Sequence, residues 1–183
     1  EYIHVEKQVV WDCINCEEFQ RLRRIRQLGP AMYVYHTAEH SRFSHSLGVY
    51  EITRRMIQEV KGISQLDEFD QVSLMCAALL HDAGHGPFSH SFEQLSGVHH
   101  ESFTIQLIQS HSTLHEILKK AHPKLPQAII DIILHTHPNP LLSQIISGQL
   151  DADRMDYLLR DAYFSGTSYG KFDLERMLRT MRV

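Results

Sequence analysis

Cysteine is scarce in this chain, with three residues among 183. Three thiols do not make a disulfide framework. Cys13 and Cys16 form one C-x-x-C pair, but a closed zinc site wants a second pair and a redox motif wants a βαβ surround. In a helical context they read as two thiols near a helix start. Cys76 lies inside the apolar run Leu74–Leu80 and reads as core. That run is the longest apolar stretch and is far too short to cross a bilayer. No basic segment followed by an apolar one opens the chain, so it reads as cytoplasmic, with no membrane partner. An excess of one charge is also missing. Lys+Arg number 18 and Asp+Glu 22, a formal net charge of −4, which leaves no nucleic-acid footprint. With 43% hydrophobic and 22% charged residues the chain is ordinary globular material rather than disordered.

The length suits one domain with a sizeable core, residues 1–183. The first residue is Glu1, not Met, and the last falls within the helix-like spacing Phe172, Leu174, Met177, Leu178, Met181. The chain therefore reads as the N-terminal part of a longer protein.

The dominant hydrophobic period is helical. Phe19, Leu22, Ile25 and Leu28 predict a helix stopped by Gly29-Pro30. Phe43, Leu47, Tyr50, Ile52, Met56, Ile57 and Val60 predict a long second one ending at Gly62, and Asp67 caps a third through Val72, Met75 and Leu79. Further helices are expected near 100–110, 112–121, 125–136, 140–148, 152–163 and 172–182. Only Tyr2–Val5 and Tyr33–Tyr35 look strand-like. The expected fold class is all-α, a multi-helix bundle.

What the chain has in excess is histidine, 14 residues, which points to metal binding, proton chemistry or pH sensitivity. The segment His81-Asp82-Ala83-Gly84-His85-Gly86-Pro87-Phe88-Ser89-His90 follows an apolar helix directly. A His-Asp pair at the inner end of a buried helix is costly unless it is paired. Ser41-Arg42-Phe43-Ser44-His45 places another histidine at a helix start. In the stretch from Leu150 to Asp161, the residues Asp153, Tyr157, Arg160 and Asp161 share one helical face. Two His and two Asp from such segments suit a divalent metal of intermediate hardness, with imidazole favouring Fe, Mn, Zn, Ni or Co over Mg. Open positions on that ion would suit hydrolysis.

These residues resemble the HD-domain metal phosphohydrolases, whose H…HD…D signature is matched in order by His45, His81-Asp82 and Asp153. Four stretches are more similar still to the dNTP triphosphohydrolases, the group of the eukaryotic SAM-and-HD-domain enzyme and its bacterial relatives. They are Phe19–Gly29, Ser41–Val49, His81–His90 and Leu150–Tyr157. The resemblance reaches to about Lys171. It implies a divalent metal held by His45, His81, Asp82 and Asp153. It implies proton chemistry by His90, Glu93 and His100, with Glu93 standing where the eukaryotic enzyme has Asp. Phosphate contacts would come from His85, Arg42 and Arg154, the last replacing a Lys. Gln27 and Asp161 would read a 3′-hydroxyl, and Tyr157 with Leu28 would crowd a 2′-hydroxyl. The implied reaction is dNTP plus water giving deoxynucleoside plus triphosphate. The resemblance further implies a homo-oligomer with a nucleotide effector at Asn15, Gln20 and Arg23. Asn15 replaces an Asp there, and an amide does not accept from two guanine N–H donors as a carboxylate does, so guanine-specific activation is not expected. The cluster Arg21, Arg23, Arg24 and Arg26 has two readings, phosphate binding at an oligomer interface or a solvated face. Alternative readings are an HD phosphohydrolase acting on a monophosphate, a cyclic nucleotide or an alarmone, and a non-catalytic nucleotide-sensing module.

Overall fold

A computed structural model describes residues 2–183. Its order is α1 (Gln8–Asn15), α2 (Glu17–Gln20), a 3₁₀ turn (Arg21–Arg24), a second 3₁₀ turn (Gly29–Tyr33), α3 (Arg42–Glu59), a third 3₁₀ turn (Ile63–Gln65), α4 (Glu68–Leu80), α5 (His90–Ser96), α6 (His100–Gln109), α7 (Thr113–Ala121), α8 (Leu125–Ile133), α9 (Pro140–Ile146), α10 (Ala152–Ser165) and α11 (Leu174–Thr180). The all-α expectation holds. Among the described residues the only β pairing is two isolated bridges, Arg26 with Ser41 and Lys61 with Arg182. Among the same residues, no helix is long and apolar enough to cross a membrane.

The centre is α4. Every residue from Ser73 to Leu80 is buried, as an apolar run on all sides requires. It packs against α3 and α8, and α3 in turn packs against α10. Each fully buried leucine along α4, such as Leu74, Leu79 and Leu80, contributes about 1.5–3 kcal/mol by leaving water. Side-chain caps set the helix starts that matter for the site. Ser41 accepts from the Ser44 amide at α3, Asp67 from Asp70 at α4 as expected, and Asp151 from Arg154 at α10.

Several expectations need correction. Phe19 to Leu28 is not one helix. It is the single turn of α2, a 3₁₀ turn to Arg24, and extended backbone at Ile25. A strict spacing of three is the 3₁₀ repeat as much as an α-helical one, and it buries Phe19, Leu22 and Ile25 all the same. Neither strand-like piece pairs; Tyr33 ends the second 3₁₀ turn and is exposed along with Val34. Cys13 lies in the last turn of α1, and Cys16 follows that helix and stands at the N-cap of α2, so the pair does sit at a helix start. All three thiols are free and buried. The last helix stops at Thr180.

Candidate functional site

Three elements bring their polar ends together at one cleft. His45 enters from the first turn of α3, His81 ends α4, and Asp153 opens α10. One ligand atom from each lies within 4.8 Å of the other two. The two imidazoles are oriented from behind. His45 Nδ1 donates to Asp156 Oδ2 at 2.8 Å, and His81 Nδ1 donates to the Ala78 carbonyl at 2.8 Å. Both Nε2 atoms are thereby turned to the same place, and neither has a hydrogen-bond partner although both are buried. Asp153 Oδ1 is 3.0 Å from His45 Nε2 and 3.8 Å from His81 Nε2. Unpartnered buried nitrogens facing a carboxylate are what a cation would satisfy. The donor set, imidazole and carboxylate, fits a divalent metal of intermediate hardness.

Electrostatics agree. Burial lowers the affinity of His45 for a proton, but Asp153 and Asp156 outweigh it and raise its pKa to about 10. His81 is raised too, burial being overcome by Asp82 and Asp153. Burial opposes ionisation of Asp153, yet the two histidines hold it well below the carboxylate range. Without a cation, a proton takes its place.

Asp82 adjoins this triad and faces a second cluster. Its Oδ2 is 3.6 Å from His45 Nε2 and accepts from Arg42. Its Oδ1 is 3.5 Å from His81 Nε2, 3.3 Å from His85 Nε2 and 3.5 Å from His100 Nε2. Burial pushes its pKa up, but His81 and Arg42 push it down further, so Asp82 stays ionised. In the second cluster His100 Nδ1 donates to Glu93 Oε1 at 2.5 Å, and His90 lies 3.3 Å from Oε2. Burial raises Glu93, but His100 and His90 bring it down to about 2. His85 is fully buried and stacked on His100 with ring centres 3.8 Å apart. Burial pushes its pKa down to about 4, so it is neutral.

The remaining expected residues divide. Gln27, Arg42 and Tyr157 line the cleft with His81, Asp82, Asp153, His90 and His100. Arg42 is buried, with Nε donating to Ser89 Oγ at 3.0 Å. Positive φ at Phe88 and Ser89 (65° and 53°) delivers that hydroxyl, a backbone cost of about 1–3 kcal/mol per residue. Leu28 is half-buried and precedes the second 3₁₀ turn, while Arg154 is exposed. Asp161 turns away from Asp153 to His40 Nε2 at 2.7 Å. Arg160 likewise leaves the expected common face and pairs with Asp156 through two nitrogens, each at 2.8 Å. Of the effector candidates, Asn15 donates to the Trp11 carbonyl, while Gln20 accepts from Arg23 Nε at 2.7 Å and Arg23 lies over the Phe43 ring at 3.6 Å.

Sequence reasoning gave no role to Asp156, His40, Thr104 or Gly48. A Cβ on Gly48 would fall 1.8 Å from Asp156 Oδ1. Thr104 Oγ1 donates to the His81 carbonyl at 3.0 Å and accepts from the Gly84 amide at 2.8 Å. A signal existed for two of them, since Gly48 follows His45, and Asp156 follows Asp153, by three residues on one helical face.

The profile of the HD domain matches residues 42–161. An uncharacterized Bacillus subtilis protein, YwfO, is 52% identical over 182 residues, covering 99% of this chain and 42% of that protein. A Dictyostelium discoideum protein named deoxynucleoside triphosphate triphosphohydrolase SAMHD1 homolog is 33% identical over 199 residues, covering 95% of this chain and 37% of its own length. The crystal structure of a phosphohydrolase from Bacteroides thetaiotaomicron superposes with a TM-score of 0.85 at 34% identity, over 99% of this chain and 44% of that one. This chain thus spans less than half the length of these relatives. The H…HD…D residues converge at one cleft inside the matched region, and the chain belongs to the HD domain family.

Proposed function

We propose that this chain is the catalytic domain of a metal-dependent phosphohydrolase that cleaves deoxynucleoside triphosphates to deoxynucleoside and triphosphate. One observation carries the reading. A metal-ligand triad and a His-Glu-His cluster share one carboxylate, Asp82, whose oxygens lie within 3.6 Å of a histidine nitrogen on each side. Similarity to a protein named as a dNTP triphosphohydrolase supports the substrate class.

In this reading His45, His81, Asp82 and Asp153 would hold a divalent ion, which would supply Lewis-acid charge for phosphoryl chemistry. His90, Glu93 and His100 move the proton. An ionised Glu93 hydrogen-bonded to His100 keeps that imidazole oriented and strengthens it as a base. Neutral His85 offers a hydrogen bond to phosphate, and Arg42 and Arg154 offer charge. Gln27 and Asp161 read the 3′-hydroxyl, Asp161 oriented by His40. Tyr157 with Leu28 narrows the space at the 2′ position.

The test is hydrolysis of a mixed dNTP pool, with rNTPs in parallel, by the full-length protein with Mn²⁺. Triphosphate released from dNTPs alone is the expected result. Release of phosphate or pyrophosphate would keep the hydrolase and discard the substrate pose. No turnover by protein that binds metal would move the reading to a nucleotide sensor.

A further inference from the structure

The arginines of the first 3₁₀ turn, and Arg26 just after it, read alike in sequence, yet they do different things. Arg24 is exposed, Arg23 lies over Phe43, and Arg26 reaches the Glu39 carbonyl. Arg21 alone turns inward. Its Nη1 donates to the His85 carbonyl at 2.7 Å and its Nη2 donates to the Ala83 carbonyl. Its hydrogen bonds go to carbonyls rather than to carboxylates.

Those carbonyls belong to the turn that leaves α4. A helix end exposes acceptors with no partner inside the helix, and its dipole favours a cation there. Here the turn is gripped from two directions. On one side Thr104 of α6 holds the His81 carbonyl and the Gly84 amide. Gly84 is pressed so closely to α6 that a Cβ would meet the His100 carbonyl at 2.1 Å. On the other side is Arg21, 60 or more residues away in sequence. Between the two grips hang His81, Asp82 and His85.

We propose that Arg21 is a positioning residue of this site: its forked guanidinium fixes the turn that presents His81, Asp82 and His85, and so sets both metal affinity and turnover. A guanidinium suits the task because two parallel N–H donors meet two carbonyls in a fixed geometry that an ammonium lacks. The turnover part rests on the hydrolase reading above; the metal part does not.

The experiment uses the full-length protein, with Co²⁺ affinity read from its visible absorption and steady-state kinetics read on dNTPs. Arg21→Ala should weaken Co²⁺ binding by about tenfold to a hundredfold and lower kcat by about a hundredfold with little change in KM. Free guanidinium at millimolar concentration should restore part of both losses, where NaCl of equal ionic strength does not. Arg21→Lys should fall between, and Arg24→Ala on the same turn should behave as wild type. Wild-type affinity and kcat in folded Arg21→Ala would overturn the proposal, as would equal losses in Arg24→Ala or recovery by NaCl alone. If Arg21→Ala does not fold, Arg21→Lys decides by the same two readouts. A wild-type protein without turnover would sink the hydrolase reading and leave the Co²⁺ comparison to judge Arg21.

Discussion

His45 Nδ1 rests on Asp156 Oδ2 at 2.8 Å, and Arg160 grips the same carboxylate through two nitrogens. The imidazole is thus fixed in rotation, with Nδ1 committed to that carboxylate, before any ligand arrives. Removing such a support costs about 10–100-fold in metal affinity. Asp156→Ala should show that loss by calorimetric titration with Mn²⁺ while Asp153 stays in place. Unchanged affinity would mean that Asp156 only anchors Arg160.

Gly48 makes room for that pair. With Asp156 Oδ1 at 1.8 Å and the Arg160 Nη2 at 2.4 Å from a hypothetical Cβ, Gly48→Ala must push both aside. Overpacking of this kind costs about 1–3 kcal/mol. A chemical melt of the variant should show that loss together with weakened metal binding. A stable variant with full metal content would contradict the packing.

The metal-free protein should lose stability on the alkaline side. His45 carries its proton to about pH 10 in the fold against an ordinary 6.5. A raised pKa contributes stability that is complete below about pH 6.5 and disappears as pH rises through about 10. Asp82, Asp153 and Asp156 are lowered instead, so their contributions are constant across that window. Metal must displace the His45 proton, so affinity should rise over the same interval. Melting temperatures from pH 6 to 10, with and without Mn²⁺, check both slopes; a flat metal-free profile would refute the assignment.

The two clusters should separate under mutation. His81→Ala should remove bound metal. His90→Ala and Glu93→Gln should keep it and lower turnover by about 10²–10⁴-fold. Metal content by elemental analysis alongside dNTP kinetics reads the difference. Loss of metal from Glu93→Gln would place that residue among the ligands.

Thr104→Val keeps shape and deletes two hydrogen bonds, to the His81 carbonyl and from the Gly84 amide. Stranding both groups should cost about 1–3 kcal/mol each. A melting shift of surface-mutation size would show that solvent takes over the hydroxyl's role.

Much of the site was legible because its chemistry is concentrated in short runs. His81-Asp82 at the end of an apolar helix and Asp153 after the Asp151 cap announced themselves as residue types in costly places. The supports were not legible. His40 meets Asp161 across 121 positions, and Arg21 meets His85 across 64. No local pattern encodes contacts made only when remote helices pack. The Phe19–Leu28 error has a different origin: a spacing of three buries the same side chains in two kinds of helix.

Gly48 and Gly84 also say something about portability. The histidines and aspartates of the cleft could be copied onto the helices of another bundle, residue for residue. Without two bare backbone patches, one letting a carboxylate lie against α3 and one letting a turn lie against α6, the copies would sit on helices held too far apart. What a protein engineer would have to transplant is the separation between helices, and in this chain that separation is written where there is no side chain.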